Sequence, residues 1–195
     1  GSLWAMGKND EGQVGAGDWV GHVNPTKVVD SGVTEVATLY DHTLFIKNDG
    51  SLWGFGENLF GQLGLGDNAN RNSPVLILAS GVKEVSSGGG QTLLVKTNGT
   101  LWVTGKNDFG QLGLGDTSHR NTLNQIVGVT DVSHVAAGGY HSLFRKTDNS
   151  IWAMGENAKG ELADGTNIQR ATPVLAVLEF GLVAYYPFNG NANDE

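Results

Sequence analysis

His42 and His141 are the residues of this chain best suited to proton transfer or metal ligation, because imidazole titrates near neutrality and offers two ring nitrogens. They occupy the same place in a recurring pattern, and the copy between them carries Gln91 there. An amide replaces a hydrogen bond of imidazole but cannot act as its base. The position therefore reads as a hydrogen-bonding group within each repeat. Stretches such as Asp67-Asn68-Ala69-Asn70-Arg71-Asn72 offer oxygen ligands for calcium, but they lack the regular ligand spacing and closing Glu of a calcium loop. Cysteine is absent, which excludes disulfides and thiolate metal sites. Neither a Gly-x-x-x-x-Gly-Lys-Ser/Thr phosphate loop nor a Gly-x-Ser-x-Gly nucleophile elbow occurs. No catalytic residue, cofactor or metal is expected, and the chain does not read as an enzyme.

Four tryptophans, Trp4, Trp53, Trp102 and Trp152, would suit ligand stacking, but their recurrence in every copy favours packing of large rings with one N–H to satisfy. Asn9, Asn58, Asn107 and Asn157 read as turn-forming side chains. Binding is better sought where copies differ, since variable loops on a rigid frame carry function. The divergent segments are Asp18-Trp19-Val20-Gly21-His22, Asp67-Asn68-Ala69-Asn70-Arg71, Asp116-Thr117-Ser118-His119-Arg120 and Thr166-Asn167-Ile168-Gln169-Arg170. Arg and Trp are enriched at interface hot spots. Trp19, His22, Arg71, His119, Arg120 and Arg170 are accordingly the candidate partner contacts. The alternative for the arginines is an ion pair with an Asp of a neighbouring repeat.

The elements that position these residues follow from the period. The pattern Leu/Ile-Trp-x-x-Gly-Lys/Glu-Asn-x-x-Gly recurs at intervals of 49, 49 and 50 residues, the mark of a repeat architecture. Alternating apolar runs end at Asp49-Gly50, Asn98-Gly99 and Asp148-Asn149, which predict type I′ hairpins. Further strands fit Val33/Val36, Val82/Val85 and Val132/Val135, and the segments after Pro25, Pro74 and Pro173. Four short strands in about fifty residues is the arithmetic of a propeller blade. A helical solenoid would need apolar spacing of three and four, which no window shows. A parallel β-helix would repeat at a shorter period.

Thirty glycines among 195 residues, with 16% charged, fit a chain rich in tight turns. The formal charge of −8 disfavours nucleic acid and anionic membrane surfaces. No apolar stretch approaches the roughly 20 residues of a membrane-spanning helix. Opening on Gly-Ser-Leu-Trp, without initiator Met or signal peptide, the chain is expected to be a piece of a longer protein.

The segments Gly61-Gln62-Leu63-Gly64-Leu65-Gly66-Asp67 and Gly110-Gln111-Leu112-Gly113-Leu114-Gly115-Asp116, the Leu-Trp-x-x-Gly strands and Gly138-Gly139-Tyr140-His141 resemble the regulator of chromosome condensation repeat. The resemblance covers residues 1–178 and implies an all-β, partial β-propeller of about 3.5 four-stranded blades, part of a ring usually of seven. The first Trp strand should then lack its hairpin partner and present an open edge. Residues 179–195 resemble a linker and the opening strand of a laminin-G or concanavalin-like domain, or equally a last blade strand. What this implies is a non-enzymatic scaffold binding a protein or glycan through its loops, within a larger bacterial secreted or surface protein, or alternatively a cytoplasmic one. Two other roles follow from the family. One is nucleotide exchange on a small GTPase of the Ran type, disfavoured because no insertion interrupts the repeats. The other is an enzyme-inhibiting propeller, hinted at by Trp19 and Tyr40.

Overall fold

The computed structural model describes residues 1–177, in which fourteen strands and no helix occur. They are β1 Leu3–Gly7, β2 His22–Val29, β3 Val33–Thr38, β4 His42–Lys47, β5 Leu52–Gly56, β6 Arg71–Leu78, β7 Val82–Ser87, β8 Gln91–Lys96, β9 Leu101–Gly105, β10 Arg120–Gln125, β11 Val132–Ala137, β12 His141–Lys146, β13 Ile151–Gly155 and β14 Arg170–Leu175. Consecutive strands pair antiparallel into one two-stranded sheet, β1–β2, and three four-stranded sheets, β3–β6, β7–β10 and β11–β14. β7 packs on β3 and β4 of the preceding sheet, and β11 on β7 and β8, so the sheets stand side by side as blades. This is the expected partial propeller of about three and a half blades. The expected segment 179–195 lies outside the described residues.

Burial explains the order of strands. β4 and β8 are buried on both faces because a sheet lies on each side, while β6 and β14 form outer edges that are half-exposed. Pro74 and Pro173 sit in those outer strands, where a missing N–H breaks no ladder. These strands begin three residues before the proline, and in the third sheet Leu123 takes its place.

The apolar core lies between sheets. Leu3, Val33, Phe45 and Phe55 fill the first junction. Leu44, Leu52, Leu63, Val82 and Leu94 fill the second, and Leu93, Val103, Leu112, Phe144 and Met154 the third. Leu63 and Leu112 come from the glycine-rich loops, which also reach across to the next blade. Gly66 N–H donates to Asn121 O at 2.7 Å, and Gly115 N–H to Ala171 O at 2.8 Å. A Cβ on Gly61 would fall 2.2 Å from Asn121 Cα, so glycine there is required by the close approach of two backbones. In the fourth loop nothing approaches Gly160, and Ala163 replaces the glycine held at positions 15, 64 and 113.

The hairpins differ from the expected type I′. Only the second turn residue has positive φ, at Gly50, Gly99 and Asn149. Gly50 N–H donates to Lys47 O, and Lys47 N–H to Ser51 O, which makes a three-residue loop of a type I turn followed by one left-handed residue. Asp49 Oδ1 accepts from Ser51 N–H at 2.9 Å, and this Asx bond holds Asp49 out of the left-handed region.

Each tryptophan stands at the rim of the core rather than within it. Trp53, Trp102 and Trp152 are half-buried, donate their indole N–H to Ser51, Thr100 and Ser150, and lie under Lys47, Lys96 and Lys146. Packing is thus their role, as expected. Trp4, on the β1 edge that no described strand pairs, is 52% exposed.

Candidate functional site

The loops joining β3 to β4 and β5 to β6 leave the same end of the second sheet, and their counterparts do so in the third and fourth. This loop end carries every candidate contact. Four of the six are committed to their own loops. Arg71 pairs with Asp67 at 2.6 Å, Arg120 with Asp116 at 2.6 Å, Arg170 with Asp164 at 2.7 Å and His22 with Asp18 at 3.1 Å. The expected alternative of a neighbouring repeat's Asp is corrected: the partner lies four to six residues earlier on the same loop, within reach of a side chain folding back. Hydrogen bonds from Thr166 and Arg170 hold the Asp164 carboxyl down at about 2. The Arg120 guanidinium and the Ser118 N–H lower Asp116 likewise.

The same loops are laced by asparagine. Asn58 Oδ1 accepts from Leu63 N–H at 2.9 Å while Nδ2 donates to Asp67 O at 3.0 Å, and Asn107 repeats this with Leu112 and Asp116. Trp19 is 49% exposed and takes no part in the ring contacts described next.

His119 does. Its ring meets Phe60 edge-on with centroids 5.0 Å apart, while Nδ1 accepts from Asn107 N–H at 3.0 Å. Lys106 Nζ stands 4.9 Å from the Phe60 centroid and 5.2 Å from that of Tyr140, with Asp108 at 3.5 Å. Phe109 lies 5.2 Å from Tyr140. A strip His119, Phe60, Lys106, Tyr140, Phe109 thus crosses three blades. Tyr140 is 42% exposed and Leu59 beside it in sequence to Phe60 is 57% exposed. Sequence reasoning missed Phe60, Phe109, Lys106 and Tyr140. The signal was present, a Phe before the first loop glycine in two copies, but it looked like part of the frame.

Toward the first blade the face turns acidic. Glu57 is raised above the ordinary carboxylate range by burial and by its neighbours Asp41 and Glu11. Gln13 Nε2 donates to Asp41 Oδ1 at 2.7 Å, and Gln62 Nε2 to Glu57 Oε2 at 2.9 Å. No cluster of three or more His, Cys, Asp or Glu able to hold a metal occurs among the described residues.

His42 is no base. It is fully buried, within 2.9 Å of Ser87 Oγ and 3.2 Å of Thr92 Oγ1, and burial pushes its imidazole down to about 4. Gln91 in turn donates to Gly138 O at 2.9 Å. The expected bond within a blade is corrected: it runs from each blade to the next, because these side chains leave the second strand of a sheet toward its neighbour.

The model of the regulator of chromosome condensation (RCC1) repeat matches residues 1–46, 49–95 and 98–145, and a second model of that repeat matches 33–62, 82–111 and 132–161. No curated protein sequence matches significantly. Among solved structures, human WBSCR16 is 25% identical with a TM-score of 0.81, over 91% of this chain and 49% of its own. Prp20p of Saccharomyces cerevisiae, in a structure reported with its binding properties to Gsp1p and histones, is 19% identical with a TM-score of 0.81, over 92% and 47%. Yeast RCC1 (Prp20) bound to Kap60 is 18% identical with a TM-score of 0.80, over 92% and 45%. The chain spans about half the length of these proteins. With three successive copies of the repeat matched, each supplying the last two strands of one sheet and the first two of the next, the chain belongs to the regulator of chromosome condensation (RCC1) repeat family.

Proposed function

We propose that this chain is part of a non-enzymatic scaffold that binds a protein partner through the loop end of its blades. The observation that carries the reading is the strip of Phe60, Lys106, Tyr140 and Phe109, in which partly exposed rings flank a cation on rigid, hydrogen-bonded loops. Aromatic side chains held in this way present contact area at little cost in conformational entropy. A photo-crosslinking residue at Tyr140 of the natural full-length protein tests it in the producing cell, with exposed Asn98, in a hairpin turn at the opposite end, as reference. Protein adducts from position 140 and none from 98 are the expected result. Equal labelling from both, or none from 140, would reject the reading.

Nucleotide exchange on a small GTPase is the second reading, and it draws support from the likeness to Prp20p, whose structure is reported with binding to Gsp1p. Release of a fluorescent guanine nucleotide from a Ran-type GTPase, with and without the intact protein, decides it.

A further inference from the structure

The repeats build one hydrogen-bonding device that the third copy leaves incomplete. In all four loops the residue after the first glycine accepts a backbone N–H through its side-chain oxygen: Gln13 from Glu11, Gln62 from Phe60, Gln111 from Phe109 and Glu161 from Lys159. For the three glutamines Nε2 must then find an acceptor. Gln13 finds Asp41 of the next blade and Gln62 finds Glu57 of its own loop. The counterparts of those two carboxylates around Gln111 are Tyr140 and Lys106. Gln111 is fully buried, and its Nε2 has no acceptor. It packs against Gly155, which abuts the Tyr140 carbonyl, and Lys106 Nζ lies 5.2 Å from the Tyr140 ring, so Tyr140 adjoins both residues.

Resting on the scaffold reading, we propose that Gln111 Nε2 and Lys106 Nζ receive a carboxylate from an Asp or Glu side chain of the protein partner. The incoming group takes the place that Asp41 and Glu57 fill at the other two loops, pairing a buried donor and a cation held between two rings. The side of entry is Tyr140, which is 42% exposed. Lys106 is held by half-exposed Asp108 only at 3.5 Å, which leaves it able to turn. The chain's charge of −8 disfavours an acidic stretch more than a single carboxylate.

Nuclear magnetic resonance of the intact chain tests this with the peptides acetyl-Gly-Asp-Gly-amide and acetyl-Gly-Asn-Gly-amide. The Asp peptide should shift the Gln111 side-chain amide resonances saturably, leave those of Gln13 and Gln62 in place, and lose its effect in Lys106→Glu, whose new carboxylate occupies the site as Glu57 does. The Asn peptide should have no effect. No shift with the Asp peptide, an equal shift with the Asn peptide, or an undiminished response in a folded Lys106→Glu protein overturns the proposal. In a folded Gln111→Leu protein, which loses the donor together with the acceptor of the Phe109 N–H, the response at Tyr140 must vanish as well; if it persists there, the proposal also fails. Partner crosslinking from Tyr140 together with a silent Gln111 would keep the scaffold reading and reject the carboxylate.

Discussion

The junction between the second and third blades and that between the third and fourth are built from equivalent residues, yet only the first closes its polar groups. In the former, His42 meets Ser87 and Thr92, Thr92 donates to Gln62 O at 2.7 Å, and Gln62 reaches Glu57. In the latter, Gln91 Oε1, Gln111 Nε2 and Ser142 Oγ are buried without partners, and these are the only such side-chain atoms among the described residues. Buried polar groups are normally paired, and one left unpaired costs its desolvation. Equal apolar packing with unequal polar closure shows where a repeat protein has kept its frame and where it has let the frame drift. The drifted junction lies under the exposed aromatic strip.

The largest test removes the closed side. His42→Ala should cost about 3–4 kcal/mol in urea unfolding, by leaving a cavity and depriving the buried Ser87 hydroxyl of its partner. Ser142→Ala at the other junction should change stability by less than about 0.5 kcal/mol, since its hydroxyl bonds nothing. Equal costs would erase the distinction.

The next prediction uses pH. Burial lowers the His42 imidazole from 6.5 to about 4, so between those values the unfolded chain binds the extra proton. The stability tied to neutral His42 is complete above about pH 6.5 and declines as pH falls to about 4, by roughly 3 kcal/mol. The lowered aspartates of the loops act only below this window. His42→Gln, imitating Gln91, should keep much of the stability at pH 7 and flatten the slope, as thermal denaturation across pH would read.

A smaller effect is expected from repairing the open side. Ser142→Thr copies Thr43 and Thr92, whose hydroxyls donate to the carbonyls of Gln13 and Gln62, and the β-branch narrows the choice of rotamer. It should stabilise by about 0.5–1 kcal/mol if the missing bond to Gln111 O forms. Least of all, Arg120→Ala should leave the unfolding midpoint essentially unchanged, because its pair with Asp116 is solvent-screened.

Much of the frame was legible. The period located strands β3, β7 and β11 at Val33/Val36, Val82/Val85 and Val132/Val135, because strand alternation and turn residues are local properties. The exchange of His42 for Gln91 told that a hydrogen bond, not a base, was required there, but not that the bond crosses to the next blade. The turn type was misjudged because Asp-Gly suits two loop geometries, and the Asp49 side chain chose between them. Arg71, Arg120 and Arg170 drew notice as variable loop cations, yet each is folded onto its own Asp, a pairing that sequence distance permits but does not impose.

By itself, then, the sequence determined the repeat, the strand order and the absence of recognisable catalytic motifs, since these depend on residues within one fifty-residue unit. The tertiary structure alone decided which side chains of different units meet. Phe60, Lys106 and Tyr140 come from three successive blades, and Gln111 lacks an acceptor because its own loop carries Lys106 where another carries Glu57 and the next blade presents Tyr140 where another presents Asp41. Side-chain chemistry at a junction is set by two units at once, and no single unit encodes it.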